Sequence, residues 1–312
     1  MQKLVSFVVP VFRNAGALWP TYRAITGLVS GLGHSLEIIF VNDGSDDGSL
    51  TELQEIQKSD ASVKVISFSR NFGQVAAIIA GFKASSGDCT LLMSADLQDP
   101  IEKAGDMIRL WEEGTEIAIC FRADREDGFF ARVTSAFFYN LIKVAVPKMP
   151  KGGFDFLLLD RKAVDQYNAL DERNRFFQGD VLWLGFKVSF IPYNRLKRTI
   201  GKSQWSLSKK LKYFIDGFLN TSYIPIRLMA SFGLVTAIIG FLYALVIAYN
   251  RFFRDVPFSG WAPIMILILI IGGIIMLMLG IIGEYLWRTY DETRKRPVYI
   301  IDHKLGFTDK EK

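Results

Sequence analysis

Two stretches near the end of the chain, Leu228–Tyr249 and Trp261–Ile282, hold about 22 residues each and no charged side chain. As helices rising ~1.5 Å per residue, each reaches roughly 33 Å, enough to cross a hydrocarbon core of about 30 Å. Helices of a soluble core keep a polar face, so the pair predicts a membrane hairpin. Between them, residues 250–260 carry only Arg251, Arg254 and Asp255 as charges. Lys209, Lys210, Lys212 and Arg227 stand before the hairpin, and Arg288, Arg294, Lys295 and Arg296 after it. That bias puts both flanks in the cytosol, making a multi-pass protein of the cytoplasmic membrane. Ser206–Asn220 sets Leu207, Leu211, Phe214, Ile215 and Phe218 on one helical stripe with its lysines largely off it. Just before a span, that pattern predicts an amphipathic helix lying in the interface. The expected organisation is a folded domain over 1–205, the amphipathic helix over 206–224, two transmembrane helices over 225–287 and a cytoplasmic tail over 288–312.

Composition agrees with this division. Half the residues are hydrophobic and the mean hydropathy is +0.22. The net charge of +5 suits anionic headgroups or phosphorylated substrates. Because the basic residues flank the spans, nucleic acid is not an expected partner. Cys89 and Cys120 sit inside apolar runs without metal-ligand spacing, which predicts buried thiols in a reducing compartment. The start, "MQKLVSFVVPVF", lacks the long apolar core and cleavage site of a signal peptide and reads as a first strand.

The first 125 residues alternate short apolar runs with helix-length segments. Strands are predicted over 4–12, 36–43, 63–70, 89–96 and 116–124, and helices near 17–32, 47–59, 73–86 and 101–114. Runs apolar on both faces belong to a sheet covered on both sides, and the strand–helix order predicts an α/β, mostly parallel, doubly wound sheet. Further strands are predicted over 153–162 and 185–196 with a helix near 173–184, and "RPVYIIDHKLGF" can add one more strand.

Such sheets bind ligands beyond the carboxyl ends of their strands. The polar clusters fall there: Asn42-Asp43-Gly44-Ser45, Arg70-Asn71, Asp96-Leu97-Gln98-Asp99, and Arg122 to Arg125. Asp43 can accept from a nucleobase N–H, although Asp-Gly is also common turn chemistry. Asp96 with Gln98 or Asp99 offers hard oxygen donors suited to Mg²⁺ or Mn²⁺ bridging a diphosphate, with the Ser94 hydroxyl able to hold a metal-bound water. "DLQDP" read alone is equally a loop and a helix start. His34 and His303 lie outside these clusters.

"VVPVF", "VNDGSDDGS", "SRNFGQVAAIIAGFKASSGD", "SADLQDP" and "GFDFLLLDR" occur in the order and spacing of family 2 glycosyltransferases with the GT-A fold, a Rossmann-like, mostly parallel sheet. Within that family the chain resembles the polyprenyl-phosphate glycosyltransferases, the group of dolichol-phosphate mannose synthase and the bacterial undecaprenyl-phosphate sugar transferases. "RADREDGFFARVTSAFFYNLI", "RTIGKSQWSLSKKLKYFIDG" and the two-span end strengthen the likeness. Some positions depart from the pattern. Pro-x-Tyr-Asn-Glu stands as Pro10-Val11-Phe12-Arg13-Asn14, and Asp-Asp-Gly-Ser as Asn42-Asp43-Gly44-Ser45. The first Asp of Asp-x-Asp is Ser94, while Lys202 and Trp205 replace the frequent Glu and Tyr.

The resemblance implies inverting transfer of a hexose-type sugar from a nucleotide sugar, UDP-linked in a bacterial setting, to a polyprenyl phosphate, with Mg²⁺ or Mn²⁺ at Asp96 and Gln98. It implies catalytic roles for Asp96, Gln98 and Arg122. Nucleotide-sugar binding falls to Pro10, Phe12, Asn14, Asp43, Arg70, Gly73, Gln74, Ser94, Ala95, Asp96 and Asp155. The acceptor phosphate falls to Arg125, Arg132, Ser135, Arg198, Lys202 and Ser203. It also implies a homo-oligomer, a tetramer. The alternatives are a membrane polysaccharide synthase, whose Gln-x-x-Arg-Trp motif and extra spans are not seen, and a non-catalytic nucleotide-sugar or lipid-binding protein.

Overall fold

The computed structural model describes residues 2–122, 143, 146–150, 152–194, 196, 224–254 and 261–307. The predicted amphipathic helix, Arg125, Arg132, Ser135, Arg198, Lys202 and Ser203 lie outside the described residues. The chain forms two compact units, one of residues 1–218 and 296–312 and one of residues 219–295.

The first unit carries β1 (Leu4–Val11), α1 (Leu18–Leu32), β2 (Ser35–Asn42), α2 (Ser49–Ser59), β3 (Val63–Phe68), α3 (Gln74–Ala84), β4 (Cys89–Leu92), α4 (Ile101–Glu112) and β5 (Ile117–Arg122). It continues with β6 (Phe156–Asp160), α5 (Arg161–Ala169), α6 (Phe177–Trp183), β7 (Val188–Tyr193) and, after the second unit, β8 (Ile301–Leu305). Among the described residues these strands make one sheet in the order β7-β5-β6-β4-β1-β2-β3-β8. β1 pairs in parallel with β2 and β4, β2 with β3, and β5 with β7. β6 runs antiparallel between β4 and β5, and β8 runs antiparallel along β3.

Period-2 alternation sorts the strand side chains onto two faces. Val8, Ile39, Val41, Ile66, Leu92, Ile119 and Leu157 pack beneath α3, α5 and α6. Phe7, Val9, Ile38, Phe40, Val65, Leu91, Ala118 and Leu158 pack beneath α1, α2 and α4. Both faces are buried, which is why these strands read as unbroken apolar runs. Two findings differ from the sequence expectation. The strand predicted over 153–162 ends at Asp160, whose carboxylate accepts from the Lys162 N–H at 3.0 Å and caps α5, a helix the periodicity did not separate. The helix expected near 173–184 is the short α6.

The second unit is a pair of long helices, α7 (Ile224–Arg254) and α8 (Trp261–Thr293). Both are long and apolar enough to cross a membrane. They expose large hydrophobic side chains such as Leu228, Phe241, Met276 and Leu277.

Gly81 marks the tightest helix–sheet approach. A Cβ there would stand 2.2 Å from Cγ1 of Val8, a stiff side chain in the middle of β1. Gly81→Ala is therefore expected to cost about 1–3 kcal/mol through overpacking. A lowered melting temperature by circular dichroism checks it; an unchanged one would mean that α3 is not seated this closely.

Candidate active site

The topology explains why distant residues meet. β1, β2, β3, β4, β5 and β7 all end at one edge of the sheet, and antiparallel β6 begins there. Pro10, Phe12 and Asn14 therefore share an edge with Asp43, with Arg70, Gly73 and Gln74, with Ser94 to Asp99, with Arg122, and with Asp155 just ahead of β6.

The loop after β1 is fixed locally. The Phe12 N–H donates to Oδ1 of Asn14 at 2.9 Å, and Arg13 adopts φ +55° while its guanidinium pairs with Asp46. Asn42, buried at the end of β2, donates to Ser67 Oγ at 2.9 Å and accepts from the Ser45 N–H at 3.2 Å. A neutral amide thus satisfies both neighbours where the pattern the sequence resembles has a carboxylate.

Asp43 is buried, and its two oxygens accept from the N–H groups of Phe72 at 2.6 Å and Gly73 at 2.9 Å. It therefore ties the end of β2 to the loop that opens α3. Gly44 makes the approach possible: it has φ +62°, and a Cβ would lie 2.3 Å from the Arg70 carbonyl carbon. Arg70 stacks over the Phe72 ring at 4.0 Å. Burial pushes the Asp43 carboxyl up to about 6, against the two N–H donors and the Arg70 charge, which favour ionisation.

At the end of β4 the Ser94 hydroxyl lies 2.8 Å from Oδ1 of Asp96 and 2.5 Å from Oδ2 of Asp99. Leu97 takes φ +54°, a conformation unfavourable for a side chain, so that the turn doubles back and the Gln98 N–H reaches Asp96 at 3.2 Å. The Gln98 amide nitrogen donates to the Leu196 carbonyl, leaving its carbonyl oxygen as a donor for a cation. Ala95 is buried, its carbonyl accepting from Thr21 Oγ1. Sequence reasoning missed Tyr193, whose phenol donates to Oδ1 of Asp99 at 2.9 Å. Its signal was a tyrosine at the carboxyl end of a predicted strand. Burial, reinforced by the Asp99 and Asp155 charges, raises the Tyr193 pKa and keeps the phenol a donor. Arg122 Nη2 lies 3.4 Å from Asp155. Burial works to lower the Arg122 pKa, but Asp155 and Tyr193 outweigh it and hold it above the ordinary value.

Among the described residues no group of three or more His, Cys, Asp and Glu side chains is placed to hold a metal ion. Asp96, Asp99, Gln98 and Ser94 nevertheless form an all-oxygen donor set. Mg²⁺ and Mn²⁺ commonly take one or two carboxylates and complete their shells with substrate phosphates and water. These residues fit such an ion.

The glycosyl transferase family 2 model matches residues 6–187. The chain belongs to glycosyl transferase family 2. Relatives of this family-2 member match nearly the full length of the chain. Glycosyltransferase YkcC of Bacillus subtilis (strain 168) is 38% identical over 98% of this chain and 95% of its own. A prophage bactoprenol glucosyl transferase homolog of Escherichia coli (strain K12) is 34% identical over 95% and 98%. The bactoprenol glucosyl transferase of Shigella phage SfV is 34% identical over 96% and 98%. Among solved structures, a mannosyltransferase from Pyrobaculum calidifontis, in complex with GDP-Man and Mn²⁺, shares the fold with TM-score 0.50 and 13% identity. That likeness covers 70% of this chain and 64% of that one.

Asp43 yields a pH prediction for the family-2 site. Its folded pKa, about 6, lies above the ordinary 3.8, so the folded state takes up a proton before the unfolded chain does. Ionised Asp43 therefore costs stability above pH 6, and that cost is relieved as pH falls toward 4. A protonated carboxyl also holds the two loop N–H groups less well. Asp43→Asn should remove this acid limb from a plot of melting temperature against pH between about 4 and 7. An unchanged limb in the variant would assign it to another group.

Proposed function

We propose that this glycosyltransferase moves a hexose-type sugar from a nucleotide sugar, with UDP as the nucleotide, onto a polyprenyl phosphate at the cytoplasmic face of the membrane. The observation that carries the reading is the meeting of Asp43, Ser94, Asp96, Asp99, Arg122 and Asp155 at one sheet edge. Relatives named bactoprenol glucosyl transferases, alike over nearly the full chain, support the lipid acceptor. The two long apolar helices support the membrane setting, and the excess of Lys and Arg outside the pair supports cytosolic flanks.

The acceptor makes small chemical demands. A phosphate monoester, with a second pKa near 6, is largely a dianion at neutral pH and needs no strong general base. Its oxygen displaces the nucleoside diphosphate from the anomeric carbon with inversion. What the protein must supply is alignment and charge compensation. The Asp43-tied loop with Arg70, Gly73 and Gln74, together with Pro10, Phe12, Asn14 and Ala95, would seat the nucleotide. Asp155, held by Arg122, would face the sugar. Asp96 and Gln98 would hold a divalent cation, which when bound neutralises charge developing on the leaving diphosphate. The solved mannosyltransferase of the same fold, in complex with GDP-Man and Mn²⁺, supports that assignment. Arg125, Arg132, Arg198 and Lys202, with Ser135 and Ser203, would take the acceptor phosphate through charge-assisted hydrogen bonds.

Purified protein given UDP-[¹⁴C]glucose, undecaprenyl phosphate and Mn²⁺ should place label in the organic phase, and EDTA should abolish it. Asp96→Asn should lower transfer at least about tenfold, equivalent to roughly 1.4 kcal/mol, while Ser94→Asp should retain it. If no UDP-sugar of a panel yields extractable product, the reading is wrong; unimpaired transfer by folded Asp96→Asn would remove the cation from this loop.

A further inference from the structure

The segment that follows α8 does not stay apart from the donor side of the site. Residues 296–312 belong to the first unit, and β8 runs along β3 with Val65 opposite Leu305 and Phe68 opposite Ile301. The register shifts between Ser67 and Phe68, so that Asp302 is an extra residue on β8. A bulge of this kind re-aims the residues beyond it. Beyond it the Ser69 N–H donates to the Ile300 carbonyl at 3.1 Å. The Tyr299 ring stacks on Phe68, centroids 4.9 Å apart and planes within 13°. Phe68 in turn meets Phe72 edge to face at 5.8 Å and 90°. Phe72 carries the Arg70 guanidinium on its ring and gives its N–H to Asp43.

A continuous row of contacts therefore runs Tyr299, Phe68, Phe72, Arg70. It reaches the 70–73 loop through side chains, whereas Asp43 holds the loop by its backbone N–H groups. The carboxylate fixes the loop's two N–H groups and attracts the Arg70 charge, whereas the Phe72 ring is seated by aromatic contact. That ring rests on Phe68, and Phe68 is clamped by Tyr299. We infer that Tyr299 is a positioning residue for the donor loop, so that a side chain contributed from beyond the long apolar helices sets how the nucleotide is held. The inference rests on the donor-site reading of the 70–73 loop.

Calorimetry with UDP and Mn²⁺, steady-state kinetics with each substrate varied, and hydrogen exchange at Phe72 and Gly73 test it on the full-length protein in detergent. An aromatic pair of this kind supports roughly a threefold to tenfold change in affinity. Tyr299→Ala and Tyr299→Leu should raise the Kd for UDP and the KM for nucleotide sugar by that factor. They should leave kcat within about twofold and speed exchange at the two amides. Tyr299→Phe keeps the stack and should behave as wild type. Leu305→Ala is the control: it weakens the same strand, but its side chain packs in the core on the other face of the sheet. It should lower the melting temperature and leave the Kd for UDP unchanged. Wild-type affinity in Tyr299→Leu, or an equal loss in Leu305→Ala, would overturn the inference. A wild-type protein that binds no UDP would instead sink the donor-site reading on which it stands.

Discussion

Ser94 stands where its relatives' pattern has a carboxylate, and its hydroxyl lies within hydrogen-bond reach of both Asp96 and Asp99. A serine hydroxyl has one proton to donate, so it serves one carboxylate at a time. Three oxygen-bearing side chains are thereby drawn together in a loop whose backbone is forced through a left-handed turn at Leu97. Tyr193 closes the arrangement from β7 by donating to Asp99. Serine here holds the loop together with one negative charge fewer than a carboxylate at this position would bring. A site built this way depends more on the substrate's own phosphates to complete a cation's shell than one with two carboxylates in the motif.

The same edge carries another buried carboxylate with a different task. Asp43 spends its acceptor capacity on the Phe72 and Gly73 amides, although burial makes its charge unfavourable. Carboxylates kept ionised at a cost to folding are a mark of functional sites. Here the return is a 70–73 loop with a defined backbone, reinforced through the Phe72 ring by the aromatic row that ends at Tyr299.

Much of this was legible in the sequence. Strands buried on both faces must be apolar, so polar clusters such as Asn42 to Ser45 and Asp96 to Asp99 stood out as their ends. The tail strand was visible in "RPVYIIDHKLGF", but not its pairing with β3, because strand order depends on long-range contacts. The direction of β6 was hidden for a related reason: a fully buried run looks alike whichever way it is threaded. Helix α5 was absorbed into the preceding strand because Asp160 both ends β6 and caps the helix. Tyr193 was missed because its importance lies in a hydrogen bond to a residue 94 positions away. Ser94 was legible as a departure, while the reach of its hydroxyl to both neighbouring carboxylates was a matter of geometry.

The claim on which the account turns is that a donor set with Ser94 in place of a carboxylate still binds a divalent cation once a diphosphate is present. Electron paramagnetic resonance of Mn²⁺ titrated into the purified protein, with and without UDP, tests it most directly. Weak binding alone and at least about tenfold tighter binding with UDP is the expected result, since the diphosphate supplies the missing anionic ligands. Mn²⁺ that stays free in the presence of both protein and UDP, beyond what UDP alone chelates, would contradict it.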